Sequence, residues 1–405
     1  MGPVSALHGR ECPNEARRLP RDKKNRQPYR TGKTQPFSCE MALIVQAASV
    51  RLSGAIESLK LPSTRMPLTP RYDVSDLMAD PFCERSGHRF SMQKQILGGR
   101  FQFESNSEAL LHLVEGAYAG LPQHRLPVAS PPFHVELRLV SRYISSENVE
   151  PPPVQMQSGA GLLCGVMDAF NYVMLAPDQH RALVVASEDM LSRAYYLRYE
   201  LIEFAVFTLA TRGLGLVPLH SACVGRNGRG VLLLGSSGSG KSTLALHSLL
   251  HGLDFLAEDA VFVHPESMLA TGVANFVHVQ ADALRFLDHD DISRWISHAP
   301  VIRRRSGVEK FEADLRDGHG RLAMAPLELV GAVFVSREPA DDPDVLLSAV
   351  PAQEAMAWLA SDQPYAAGQP GWHEFAQRLV QLGVHQLRRG SHPGASVEAL
   401  RQLLG

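Results

Sequence analysis

The sequence predicts an α/β chain: a smaller α+β domain over residues 90–186, a linking helix over 187–213 and a larger α/β domain over 214–405. Three observations carry this. Between 95 and 186, apolar and polar residues alternate with the two-residue period of half-buried strands, around one stretch of helical period. From 187 to 213 apolar residues recur at helical spacing. Beyond 214 a purely aliphatic run gives way to a Gly/Ser loop and then to a helix-compatible run, the order of a sheet whose strands are joined by helices.

Taken in order, "QILGGRFQFES" (95–105) and "FHVELRLVSRYI" (133–144) alternate as strands. "SEALLHLVEGAY" (107–118) lies between them as a helix opened by a Ser107 cap. "AFNYVMLAP" (169–177) and "RALVVAS" (181–187) read as a strand pair joined by the turn "PDQH". The linking helix "SEDMLSRAYYLRYELIEFAVFTLATRG" is expected to stop at Gly213. Then "VPLHSACVGRNGRGVLLLG" (217–235) reads as strand, glycine turn 225–230 and strand, with His220 on the first strand. "DFLAEDAVFV" (254–263) follows the next helix at once. Mixed strands around 277–287, 309–315 and 329–336 precede short helices near 352–360, 372–382 and 395–404. No internal repeat is present.

With 405 residues, 45 % of them hydrophobic, the chain buries a sizeable core divided among two or three domains. A formal net charge of -2 gives no general attraction to nucleic acid or anionic membrane. The five cysteines are scattered and odd in number, which points to a reducing, cytoplasmic setting. The most apolar long segment, 201–219, carries Glu203 and Arg212, so no membrane span is expected. The N-terminus lacks the apolar run of a secretory signal. Residues 1–40, rich in Arg, Lys and Pro, read as a disordered extension, or as sequence upstream of a start at Met41 or Met66, with a basic docking arm as the alternative.

The string Gly235, Ser236, Ser237, Gly238, Ser239, Gly240, Lys241, Ser242 satisfies G-x-x-x-x-G-K-[ST] between an aliphatic strand and a helix continuing through Thr243. Such a loop aims backbone N–H groups at phosphate oxygens, and the helix N-terminus adds positive potential at the same point. Lys241 would neutralise β- and γ-phosphate charge. The Ser242 hydroxyl is the expected Mg²⁺ ligand, a hard oxygen. ATP and Mg²⁺ are therefore the expected ligands.

An ABC-type ATPase would share this loop. It would also need an LSGGQ-like signature and a later strand ending in Asp-Glu, and neither follows the loop; Leu52-Ser53-Gly54 lies far upstream. Glu258 and Asp259 instead sit directly beyond the next strand. If that strand runs parallel to "VLLL", both carboxyl ends share one sheet edge and the acids face the phosphates. Such a pair holds Mg²⁺ and takes a proton from an incoming hydroxyl, the acidic residue's task in phosphoryl transfer. An acidic turn between strands is the plainer alternative.

Residues 219–263, "LHSACVGRNGRGVLLLGSSGSGKSTLALHSLLHGLDFLAEDAVFV", resemble the HPr serine kinase/phosphorylases and the wider HPr-kinase-like proteins of bacteria. His220 matches that family's active-site histidine, Lys241 and Ser242 its P-loop pair, and Glu258 and Asp259 its paired aspartates for metal binding and proton removal. The resemblance implies a P-loop kinase domain of the fold shared with phosphoenolpyruvate carboxykinase. It also implies ATP and Mg²⁺ as cofactors and phosphorylation of a serine on a small protein or peptide. Glu258 stands where the family has Asp, and no glycine-rich segment follows the acidic pair.

The expected site therefore joins the loop 235–242 to Ser242 and Glu258 at the metal, Asp259 as proton acceptor and His220 at the same edge. Two alternatives remain open: a nucleotide-binding regulatory or scaffold protein with little transfer, and an ATPase coupled to conformational change. A homo-oligomer is compatible with either. Among lesser candidates, Asp282 and Arg285 read as an exposed strand-end pair, the alternative being that they complete a metal shell and clamp phosphate. Arg303, Arg304, Arg305 with Lys310 read as a solvated loop, the alternative being a grip on nucleotide phosphates or an acidic acceptor. His247 and His251, four apart on a helix, lack the further partners of a zinc site. Cys223 reads as a core thiol.

Overall fold

Alternation builds the first sheet. Strands β1 (Phe90–Ile96) and β2 (Gly99–Ser105) pair antiparallel across a two-residue turn in which Leu97 and Gly98 both have positive φ, the geometry that matches strand twist. Helix α1 (Glu108–Tyr118) then crosses to β3 (Phe133–Val140), parallel to β2. Strands β4 (Gln155–Gly159), β5 (Leu162–Asp168), β6 (Asn171–Ala176) and β7 (Arg181–Ser187) meander back, β7 running parallel to β3. The order is β1-β2-β3-β7-β6-β5-β4. Its buried face, including Phe101, Phe133 and Val184, packs on Leu110 and Val114 of α1 and on the helix that follows. Ser107 has extended N-cap geometry but no side-chain cap bond; its N–H donates instead to Ser105 Oγ.

The computed structural model describes residues 90–142, 150–287, 289–390 and 392–405, so the readings of 1–40, Met41 and Met66 lie outside the described residues. The linking helix differs from expectation at both ends. Residues Glu188–Arg193 form a 3₁₀ stretch, followed by an α-turn Ala194–Tyr196, a π-helical segment Leu197–Ile202 and α2 (Glu203–Leu214). It stops at Gly215 rather than Gly213, because Gly215 adopts the left-handed conformation (φ 65°) and donates its N–H to the Thr211 carbonyl.

The second sheet is mixed. Its elements are β8 (Val217–Leu219), β9 (Ala222–Arg226), β10 (Arg229–Leu234), α3 (Lys241–Leu250), β11 (Asp254–Ala257), β12 (Val261–His264) and β13 (Leu269–Gly272). Then come β14 (Phe276–Val279), α4 (Asp290–Ser297), β15 (Val301–Arg303), β16 (Glu309–Asp314), β17 (Arg321–Leu322), β18 (Leu327–Pro339) and β19 (Leu347–Ala349). Helices α5 (Ala352–Asp362), α6 (Pro364–Ala367) and α7 (Trp372–Leu382), strand β20 (Val384–Arg389) and α8 (Pro393–Leu404) complete the chain. The strand order is β17-β11-β9-β10-β18-β13-β12-β8, with β20 beside β18 and β19 beside β20; β14, β16 and β15 form a separate small sheet.

Both faces of this sheet are covered, which is why β10 reads as an unbroken aliphatic run. Leu232 and Leu234 enter one core with Leu359 of α5 and Phe375 of α7. Val231 and Leu233 enter the other with Leu246 of α3 and Leu400 of α8. The chain is a mixed α/β protein. Among the described residues no helix is long and apolar enough to cross a membrane.

Candidate functional site

Strand β9 organises the site. It pairs antiparallel with β10 on one side and with β11 on the other, so β10 and β11 run parallel with β9 between them. The register sets Leu233 opposite Ala222 and Ala257 opposite Cys223. The Gly/Ser loop leaving β10 and the acids leaving β11 therefore emerge at one edge, about 10 Å apart at two strand spacings. His220 occupies the bend between β8 and β9 at that same edge, not the strand expected for it. The turn joining β9 to β10 contracts to Asn227 and Gly228, both at positive φ.

The loop is a tight backbone cradle. Gly235 has φ 128°, and a Cβ there would lie 2.8 Å from the Val335 carbonyl oxygen of β18, so only glycine lets loop and strand approach this closely. Arg337, just past the buried part of β18, donates to the Ser237 (2.9 Å) and Gly238 (2.7 Å) carbonyls. Lys241 is buried, and its Nζ donates to the Gly235 (2.5 Å) and Ser236 (3.3 Å) carbonyls. Its charge is thereby fixed over the loop. Ser239 Oγ is buried without a hydrogen-bond partner inside the same loop. An orphaned hydroxyl, a lysine amine and the open N–H groups of the first turn of α3 form a donor set that fits a polyphosphate.

The acids have different surroundings. Asp259 is part-exposed; its Oδ1 lies 3.0 Å from His220 Nδ1 and its Oδ2 accepts from Arg304 at 3.1 Å. Burial raises the Asp259 pKa, but Arg304, then His220 and Lys310, outweigh that and hold the carboxyl well below its usual range. Glu258 is buried. Its Oε2 accepts from the His278 N–H (2.9 Å) and meets His278 Nδ1 (3.0 Å), while Oε1 lies 3.5 Å from Lys310 Nζ. Burial again opposes ionisation, and Lys310 and His278 overcome it, so Glu258 is held as a carboxylate. His278 in turn is raised: burial lowers its pKa, but hydrogen bonds to Glu258 and Glu312 prevail. Two ionised carboxylates and the Ser242 hydroxyl at the start of α3, which β9 brings to one sheet edge, are the kind of hard oxygen donors Mg²⁺ prefers.

Behind the acids the network runs on. His278 Nε2 lies 3.0 Å from the Tyr199 hydroxyl, which donates to Glu312. Arg198 pairs with Glu203 (3.0 Å) and Glu312 (3.3 Å). A cavity of about 80 Å³ opens among these groups, walled by Tyr199, Phe207, Asp259, Phe276, His278 and Arg304.

Several expectations are corrected here. Arg304, Arg305 and Lys310 are not a solvated loop: each meets an acid, Arg305 through two bonds to the buried Glu200 (2.5 and 2.6 Å). Arg303 alone of the cluster is exposed. Asp282 and Arg285 are exposed but stand on a 3₁₀ helix, Ala281–Phe286, rather than at a strand end. His251 Nδ1 bonds the His247 carbonyl at 2.7 Å, and the His247 ring packs against those of His251 and His392. Cys223 is buried, and burial pushes its thiol up.

Sequence reasoning missed Tyr199, His278, Glu312, Arg337 and Gln363. Gln363 clamps the His220 backbone, accepting from its N–H (2.8 Å) and donating to its carbonyl (2.9 Å); Asp362 Oδ2 accepts from Gln363 (2.8 Å) and faces the Gly235 N–H at 3.4 Å. A faint signal existed for two of them. His278 is the polar residue in "FVHV", and Arg337 is the first charge after the apolar run of β18. No protein-family model and no curated protein matches the chain.

Proposed function

We propose that the chain is an ATP- and Mg²⁺-dependent kinase that phosphorylates a serine of a small protein or peptide. The observation that carries this reading is the β9 register, which brings the phosphate cradle, His220 and the acidic pair to one sheet edge. The resemblance of residues 219–263 to HPr-kinase-like proteins supports the same reading, and with it a P-loop kinase domain.

In this reading the loop amides, Lys241 and Ser239 hold the triphosphate. Ser242 and Glu258 are the metal-holding oxygens, and bound Mg²⁺ supplies charge neutralisation at the phosphates. Asp259, the more open carboxylate, accepts the proton of the acceptor serine hydroxyl as its oxygen bonds to the γ-phosphorus and the bond to ADP breaks. His220, fixed by Gln363 and by Asp259, keeps that carboxylate turned to the edge. Incubation with γ-labelled ATP and serine-containing peptides should place label on serine. Asp259→Asn should lower transfer at least about 100-fold while ATP affinity stays within about twofold. Release of phosphate to water alone, or an unchanged rate in D259N, would sink the assignment.

One observation favours a second reading. Glu258 already has Lys310 and His278 against it, which suits a nucleotide-binding regulatory protein with little transfer. ATP binding without labelled serine in the same assay would select it.

A further inference from the structure

The feature that reaches furthest is the π-helical segment Leu197–Ile202. Such segments are rare, and they change which side chains a helix presents in succession. Here three consecutive residues all engage the small β14-β16-β15 sheet or the loop just beyond it. Arg198 meets Glu312 of β16, Tyr199 meets both His278 of β14 and Glu312, and Glu200 meets Arg305 beyond β15. Because His278 pairs with Glu312 in the β14/β16 ladder, the two partners of Tyr199 are cross-strand neighbours.

His278 delivers this contact onward. Its backbone N–H and Nδ1 converge on one oxygen of Glu258, so the ring's orientation sets the carboxylate's orientation, and the Tyr199 hydroxyl at Nε2 sets the ring. We propose that Tyr199 and His278 are positioning residues for Glu258, which makes the linking helix part of the catalytic apparatus; this rests on the kinase reading above. A merely structural cluster would stabilise the fold and leave the site indifferent. A positioning cluster changes how the site meets metal, as partners behind a ligand generally do.

The test compares wild type with Tyr199→Phe, His278→Ala and His278→Asn by calorimetric titration of ATP with and without Mg²⁺, alongside melting temperatures. Asparagine returns a donor near the Nδ1 position without the link to Tyr199. All four proteins should bind metal-free ATP within about twofold of one another, while the affinity gained on adding Mg²⁺ falls about tenfold in H278A and less in Y199F, with H278N, which also lacks the Tyr199 link, returning only to about the Y199F level. An unchanged gain in H278A or in Y199F, or H278N as impaired as H278A, overturns the inference alone. Should H278A fail to fold, Y199F and H278N decide by the same criteria. A wild-type protein whose ATP affinity ignores Mg²⁺ overturns the kinase reading and this inference together.

Discussion

Asp259 is gripped by a histidine from the bend before β9 and by an arginine from the loop after β15, so its charge state reports the packing of both. Its folded pKa lies below the unfolded value of about 3.9, so the stability it contributes is complete above that pH and is lost as pH falls through the folded value. Arg304→Gln removes the largest stabiliser of the ionised form. Stability near neutral pH should drop on the order of 2 kcal/mol, less than a fully enclosed pair because Asp259 is part-exposed, and the loss of stability below about pH 4 should become shallower. Urea midpoints between about pH 3 and pH 7 measure both effects. Identical midpoints across that range would show that the pair does not hold Asp259.

At the scale of elements, the linking helix separates two glycine roles that a sequence pattern merges. Gly215 carries the left-handed stop. Gly213 lies inside α2, where a Cβ would come within 2.4 Å of the Phe133 ring, which is itself stacked on Phe101 at 4.8 Å in the first core. Alanine at 213 gains about 1 kcal/mol of helix propensity, yet wedging a methyl against a buried ring costs roughly 1–3 kcal/mol. The clash should win, and G213A should melt lower than wild type. Gly215→Ala should cost about 1 kcal/mol for its positive φ alone. A G213A protein more stable than wild type in thermal melts would mean the Phe133 ring yields freely. Strand β10, the helix after the Gly/Ser loop and the β9–β10 hairpin were legible because their signals are local: an aliphatic run, a Gly/Ser loop, a glycine turn. The expected strand 95–105 instead breaks at Leu97–Gly98 into β1 and β2, and that expected over 277–287 ends at Val279. The π-helical segment was not legible, because its residues satisfy an ordinary helical period and depart from it only where Tyr199 and Glu200 reach distant partners.

Across the molecule, β12 ties the two halves together. Its side chains alternate, Val261 and Val263 entering a core of the second sheet while Phe262 enters that of the first, 5.1 Å from the Phe207 ring of α2. The described parts should therefore unfold as one. All three tryptophans, Trp295, Trp358 and Trp372, lie after β12, so their fluorescence follows the second half, whereas far-UV dichroism follows both. The two urea curves should coincide in wild type, and Phe262→Ala should cost about 3–5 kcal/mol and begin to separate them. Curves that are already separate in wild type would show that the halves are independent.

What residues 219–263 determined by themselves was a Gly/Ser loop between strand and helix, a histidine before it and two carboxylates after it, since each depends on a few adjacent residues. Which partners those groups meet was decided only in three dimensions. Tyr199 reaches His278 across 79 residues and Gln363 reaches His220 across 143. A buried charge takes its counter-charge from whichever element packs against it, and that choice belongs to the assembled layers and not to any single stretch of chain.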